Sequence, residues 1–255
     1  MNVILIGAGR LATNLGKALV LSGNKVEQVF SRTMESASCL AKQIGAEAIC
    51  DYGQIRNDAD IYIISVKDSA LKEVIEKATE KRSDKLFVHT AGSMPMDMLK
   101  GYAKHYGVLY PMQTFSKEKE VDFKQIPCFV EANDDDAKQV ITDLSNSISD
   151  SVYYLSTDER KYLHLAAVFA CNFSNHCFAI AEKILGEHGL PFSVMLPLVD
   201  ETARKAHTMS PKDGQTGPAV REDRNVMAKQ QALLPDDFAK IYEQLSESII
   251  KMKNE

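Results

Sequence analysis

Apolar residues follow two rhythms along this chain, and the change from one to the other divides it. Up to about residue 150, short apolar runs alternate with longer stretches whose apolar positions recur every three or four residues. The runs read as strands buried on both faces, and the stretches as amphipathic helices. Strands are expected at residues 2–6, 26–30, 46–49, 61–66, 86–89, 108–110 and 128–131. Helices are expected after the first strand and at 34–44, 69–81 and 137–148. Such alternation predicts an α/β fold, a doubly wound parallel sheet with helices on both faces. Beyond residue 154 the pattern is helical only. Ser156 and Glu159 form a capping box, and no Gly or Pro interrupts the chain from there to Gly186, so one helix should run to about residue 188. Further helices are expected at 192–206, with Pro197 placed to kink it, and at 222–233 and 235–251. The expected division is a sheet domain at 1–154 and a smaller all-helical domain at 155–255.

The first strand runs directly into Gly7-Ala8-Gly9-Arg10-Leu11-Ala12. Strand, glycine turn and helix in that order form a dinucleotide-binding start, the Rossmann arrangement. Gly7 allows the turn, Gly9 lets a pyrophosphate approach the backbone, and Ala12 permits close packing of helix on strand. Ala8, Arg10 and Leu11 complete the cradle, with the anion on the helix N-terminus. At the end of the second strand, where a carboxylate would hold the ribose 2′-hydroxyl of NAD, stand Ser31, Arg32 and Thr33. A guanidinium and two hydroxyls suit a 2′-phosphate, so NADP is the expected cofactor. Thr33 is also placed to cap the helix at 34–44. Ligands of such sheets bind beyond the carboxyl ends of the strands. That rule selects Ser65, Val66 and Lys67 after the fourth strand, and His89, Thr90 and Ala91 after the fifth, as walls of the nicotinamide site.

Composition narrows the class. The 255 residues are 45% hydrophobic and 25% charged with net charge −5, so nothing points to nucleic acid or an anionic membrane surface. The apolar runs are expected to fall short of a membrane span, and the N-terminus reads as a buried strand, which together suggest a cytoplasmic protein. Five cysteines lie mostly in apolar runs and read as reduced core thiols. Several apolar helical stripes in about a hundred residues exceed what a small domain buries internally, so a homodimer through the helical domain is expected.

Candidate chemistry lies in three places. On the long helix, Lys161, His164, Asn172, Asn175 and His176 fall within about 60° of one line at 100° per residue. They either line a cleft facing the nicotinamide or meet solvent or a partner. Asn172 and His164 are the candidates there for orienting substrate and donating a proton. His89, at the end of the fifth strand, is a second candidate donor or a satisfied structural histidine. Lys67 and Ser93 are weaker donors on the same rim. In the loop at 214–223, Thr216, Arg221 and Asp223 suit a substrate carboxylate or phosphate, although Asp223 could equally begin the next helix.

On the glycine turn, Ser65-Val66-Lys67-Asp68, His89-Thr90-Ala91-Gly92, the segment from Tyr110 to Phe115 that contains Gln113, and the segment from Thr216 to Asp223, the chain resembles a family of Rossmann-like NADP oxidoreductases. Their C-terminal half is a domain of unknown function. It is more distantly similar to pyrroline-5-carboxylate reductase, deazaflavin-dependent NADP reductases and 3-hydroxyacid dehydrogenases. The resemblance implies a nicotinamide held at the cleft between domains, helical domains that often pair into dimers, and Gln113 as a further substrate contact. Three departures stand out. Val168 lies four residues before Asn172, where the hydroxyacid dehydrogenases carry Lys. Ser210-Pro211-Lys212-Asp213-Gly214 only loosely matches the pyrroline reductase loop. Glu222 occupies the glycine slot of the family's Arg-Gly-Asp segment. The expected activity is hydride transfer between NADPH and a small carbonyl or imine compound. The alternative is a non-catalytic NADP(H) sensor or dimeric interaction module.

Overall fold

The computed structural model describes residues 1–116, 119 and 121–255. Eight strands form one sheet in the order β3-β2-β1-β4-β5-β6-β7-β8. They are β1 Asn2–Ile6, β2 Lys25–Phe30, β3 Glu47–Ile49, β4 Ile61–Ile64, β5 Leu86–His89, β6 His105–Pro111, β7 Cys128–Ala132 and β8 Val152–Tyr154. Helices α1 Arg10–Leu21, α2 Met34–Ile44, α3 Asp68–Thr79 and α4 Asp135–Ile148 cover it. Alternation within each strand sorts side chains to two faces. From β1, Val3 and Leu5 join Leu15 of α1, Leu40 of α2 and Ile141 of α4, while Ile4 and Ile6 join Leu71 and Ile75 of α3. Both faces are therefore packed, which is why the central strands read as unbroken apolar runs.

The sheet is not wholly parallel. β1 to β6 pair in parallel, but β7 runs antiparallel to β6, and β8 then pairs parallel to β7. A parallel crossover needs a dozen or more residues, usually a helix. Between β6 and β7 the described residues form only a short 3-10 turn at Phe123–Gln125, so the chain returns antiparallel. The strand β8 was not expected; it has three residues, none of them buried.

The capping box forms as expected: Ser156 accepts from the Glu159 amide, and the Glu159 carboxylate accepts from the Ser156 amide. It opens α5 at Thr157–Ala167. The expected single α-helix is then interrupted by a π-helical turn at Val168–Phe173 before α6 at Ser174–Glu187. A π turn closes i→i+5 bonds and is wider than an α turn. The 100° spacing that aligned His164 with Asn172, Asn175 and His176 does not carry through it. After a 3-10 turn at Phe192–Met195 come α7 Leu196–Thr208, α8 Arg224–Gln231 and α9 Asp236–Asn254. Pro197 lies at the start of α7, where its missing N–H costs nothing, and kinks nothing.

Two compact units result, Met1–Cys171 and Asn172–Glu255. The change to helix falls near residue 154, as the pattern suggested, yet α5 packs with the sheet unit. Two readings of composition need correction. Only Cys128 is a core thiol; Cys39, Cys50 and Cys177 are exposed, because their positions face outward on otherwise apolar stretches. The segment Thr157–Glu187 is long and apolar enough, by length and composition, to cross a membrane: it contains an 18-residue stretch of mean hydropathy 1.3, no residue of which is buried.

Candidate active site

Three loops at the carboxyl edge of the sheet are held in a row. The Gly7 amide donates to Phe30, the Ser65 amide to Ile6 (2.8 Å each) and the Thr90 amide to Ile64 (3.1 Å), so each turn is hung on its neighbouring strand. Gly7 sits at φ +126°, and a Cβ there would stand 2.1 Å from the Ser65 carbonyl oxygen. Nothing but glycine fits. Around Gly9, by contrast, there is open space out to 4 Å. Gly9 is the N-cap of α1 and supplies no side-chain acceptor to the first-turn amides. Ala12 is fully buried against the strand layer. A tight turn, an open approach and uncapped amides are the features a diphosphate requires.

The end of β2 carries no carboxylate. Thr33 caps α2, its hydroxyl accepting from the Ser36 amide at 3.3 Å, so its structural role is realised. Arg32 is exposed and forms no ion pair among the described residues, and Ser31 is half-buried. These residues therefore fit a 2′-phosphate. Farther along the edge, Ser65 and Thr90 are buried, Val66 half-buried and Lys67 exposed. The Ser93 hydroxyl donates to Asp68 and ties the β4 loop to the β5 loop.

His89 is completely buried, and both ring nitrogens are occupied. Nδ1 accepts from the Ala91 amide (3.2 Å), so Nε2 carries the proton and donates to the Pro95 carbonyl (3.2 Å). Burial drives its pKa down to about 4, outweighing the hydrogen bond to Pro95. The ring is neutral and shapes the 89–95 turn; the proton-donor role expected for it has no free nitrogen to work through.

His164 is placed differently. Arg160, one helical turn earlier, is buried to 1% exposure and forms an ion pair with Glu131 of β7. Its guanidinium also donates to the Met94 carbonyl at 2.6 Å, leaving its Nε without a partner. Glu131 further accepts from the amide and hydroxyl of Thr157 (2.8 and 2.9 Å), so one carboxylate anchors the first turn of α5. Glu131 lies opposite Val108 in the antiparallel pair, and Tyr110 stands two residues farther along β6. Two strand residues advance about 7 Å and four helix residues about 6 Å. The anchor at Arg160 thus brings His164 level with Tyr110, and the Tyr110 hydroxyl meets His164 Nδ1 at 3.1 Å. Both groups press on Gly92: a Cβ there would lie 2.7 Å from Nδ1 and 2.7 Å from Tyr110 Cζ. His89 and His164 therefore flank the same loop, one from beneath and occupied, the other reaching it with its side chain.

Tyr110, Glu131 and Arg160 were not expected at a site. Glu131 closes an apolar strand and Arg160 follows a capping box, the signals available in sequence. Gln113 is exposed and its side chain accepts from the Thr114 amide. In the second unit, Asn172 is exposed on the π turn. Asp223 caps α8 by accepting from the Val226 amide (3.1 Å), while Thr216 and Arg221 are exposed. Glu222 adopts φ +57°, so the tight turn of the family's glycine slot is made here by a residue that pays for it in backbone strain.

A family model described as NADP oxidoreductase, coenzyme F420-dependent, matches residues 2–92, and one for a domain of unknown function, DUF2520, matches residues 126–249. A comparison with curated proteins returned no match. Among solved structures, a candidate NADP oxidoreductase from Bacteroides fragilis is 49% identical, with TM-score 0.93 and 98% of each chain covered. A Thermotoga maritima protein is 20% identical, with TM-score 0.83 over 99% of this chain and all of that one. An imine reductase from Myxococcus stipitatus in complex with NADP+ shares the fold at 16% identity, with TM-score 0.65 over 100% of this chain and 93% of that one. With its glycine turn, its carboxylate-free β2 end and a relative of that identity along its whole length, the chain belongs to the Rossmann-type NADP oxidoreductases that carry a helical C-terminal region.

Proposed function

We propose that the protein reduces a small carbonyl or imine compound with NADPH, in the cytoplasm. NADPH, when bound, supplies the hydride. The turn from Gly7 to Ala12 holds its diphosphate; Ser31, Arg32 and Thr33 hold its 2′-phosphate; Ser65, Val66, Lys67, Thr90 and Ala91 line the nicotinamide side. His164 supplies the proton that the carbonyl oxygen or imine nitrogen gains. His89 keeps the loop beneath it in shape. Asn172, Gln113, Thr216, Arg221 and Asp223 are proposed substrate contacts. The observation that carries this reading is His164, set against a glycine beyond the end of β5 and in the same row of loops as the phosphate turn. NADPH consumption against a panel of small keto acids, cyclic imines and oxidised deazaflavin tests it. Turnover of at least one, cut about 100-fold in His164→Gln, is expected. Binding of NADPH with no turnover across the panel favours the sensor reading, to which Val168 in place of the dehydrogenase lysine also lends support.

We also propose a homodimer through the helical region. No residue of α6 or α7 is buried, and Phe178, Val194, Leu196 and Leu198 are exposed by 38 to 58%. A second copy would cover them. Light scattering should give twice the chain mass, and Leu198→Glu should return it to one; a wild-type monomer at micromolar concentration would retire the dimer.

A further inference from the structure

The reading of His164 as proton source leaves open which ring nitrogen carries the proton, and the structure bears on that. A neutral imidazole has one N–H donor and one bare acceptor nitrogen, and the partner of one nitrogen decides the state of the other. The partner of Nδ1 is the Tyr110 hydroxyl, at 3.1 Å, with the rings edge-on and their centroids 5.9 Å apart. Among the described residues Nε2 has no hydrogen-bond partner. Two further observations make the contact a built one. Tyr110 is held by Phe129, 6.4 Å away between ring centroids, and His164 by the Arg160 anchor one turn earlier. Gly92 supplies the space: the two groups occupy the volume that any side chain at that position would need.

We propose that Tyr110 is a positioning residue, whose hydroxyl donates to Nδ1 of His164 and fixes the imidazole tautomer that carries its proton on Nε2, the nitrogen left open toward substrate. A phenol O–H donates more strongly than it accepts, and a bare imidazole nitrogen is the better acceptor of the two groups. Burial holds the Tyr110 phenol above its ordinary pKa, against the opposing pull of Arg160, which keeps the O–H in place to donate. The ring can then present Nε2–H to a carbonyl oxygen or imine nitrogen in one orientation. As that proton leaves, Nδ1 takes the Tyr110 hydroxyl proton, so the imidazole stays neutral and water returns a proton to the phenolate. His89, fixed in the same tautomer by Ala91 and Pro95, has no nitrogen left to present.

This inference rests on the proposed role of His164 for its meaning, but its test does not need turnover. Imidazole nitrogen-15 spectra of the full chain above pH 7 contain six histidines, and His164→Gln assigns the signal concerned. The expected His164 spectrum matches the Nε2–H pattern of His89. In Tyr110→Phe, which keeps the ring packed on Phe129, the His164 signals should move toward the average of both tautomers while His89 stays unchanged. Gly92→Ala, which pushes the pair apart without removing either group, should produce the same movement. A wild-type His164 protonated on Nδ1, or a His164 spectrum indifferent to both substitutions, would overturn the proposal. A firm Nε2–H preference without turnover of any substrate would leave the pairing standing and remove only the catalytic reading.

Discussion

The two units carry one ion pair each that invites comparison. In the sheet unit, Arg160 and Glu131 pair at 1% and 15% side-chain exposure, and the same carboxylate takes two more hydrogen bonds. In the helical unit, Lys253 and Glu222 pair at 3.4 Å with 43% and 44% exposure, on a residue whose backbone is already strained. The first is desolvated and structural; the second is solvated and close to neutral in free energy. The contrast extends to packing. Strands β4 and β5 are buried throughout, whereas α6 and α7 contain no buried residue. A unit that completes its own core can hold side chains in fixed positions; one that leaves apolar faces uncovered is where the proposed homodimer would form.

Glu131→Gln is expected to have the largest effect, because it leaves the buried Arg160 charge unpaired: a loss of about 3 kcal/mol in urea unfolding. A loss below about 1 kcal/mol would place the pair in the same class as Lys253–Glu222 and erase the distinction. His89 comes next. Its folded pKa of about 4 lies below the ordinary value near 6.5, so the unfolded chain binds the extra proton first. Its contribution is full above pH 6.5 and is lost as pH falls toward 4, amounting to about 3 kcal/mol at most. Comparing wild type with His89→Gln across that window isolates it, and identical pH profiles would mean the ring is not held neutral.

Much of this contrast was legible in the sequence, and the gaps have physical causes. The strands of the central sheet announced themselves because burial on both faces demands unbroken apolar runs, and Gly7 because no other residue tolerates φ +126° against Ser65. The reversal at β7 left no trace, since Cys128, Phe129 and Val130 suit either direction. β8 was too short and too exposed to stand out. The π turn was hidden by an even run of apolar residues, and with it the phase of everything downstream. Tyr110 read as one more strand aromatic, for its partner lies 54 residues away and no periodicity links them.

Two smaller effects sharpen the comparison further. Arg32→Glu should weaken NADPH binding by roughly thirtyfold, about 2 kcal/mol for lost charge-assisted hydrogen bonds, and leave NADH nearly unchanged; equal losses in calorimetry would count against a phosphate clamp in the sheet unit. Glu222→Gly should stabilise the helical unit by about 0.5 kcal/mol, relief of a left-handed residue set against a more flexible unfolded chain. A clear destabilisation would show instead that the exposed pair with Lys253 outweighs the strain.

The π turn at Val168–Phe173 has a consequence for how this chain can change over generations. A surplus residue in a helix is a slack link: gaining or shedding one there rotates everything beyond it by roughly a quarter turn, yet leaves what precedes it untouched. Lineages descended from a common ancestor can thereby re-aim the later faces, exploring new cargoes or assembly modes, without disturbing the histidine installed a few residues upstream.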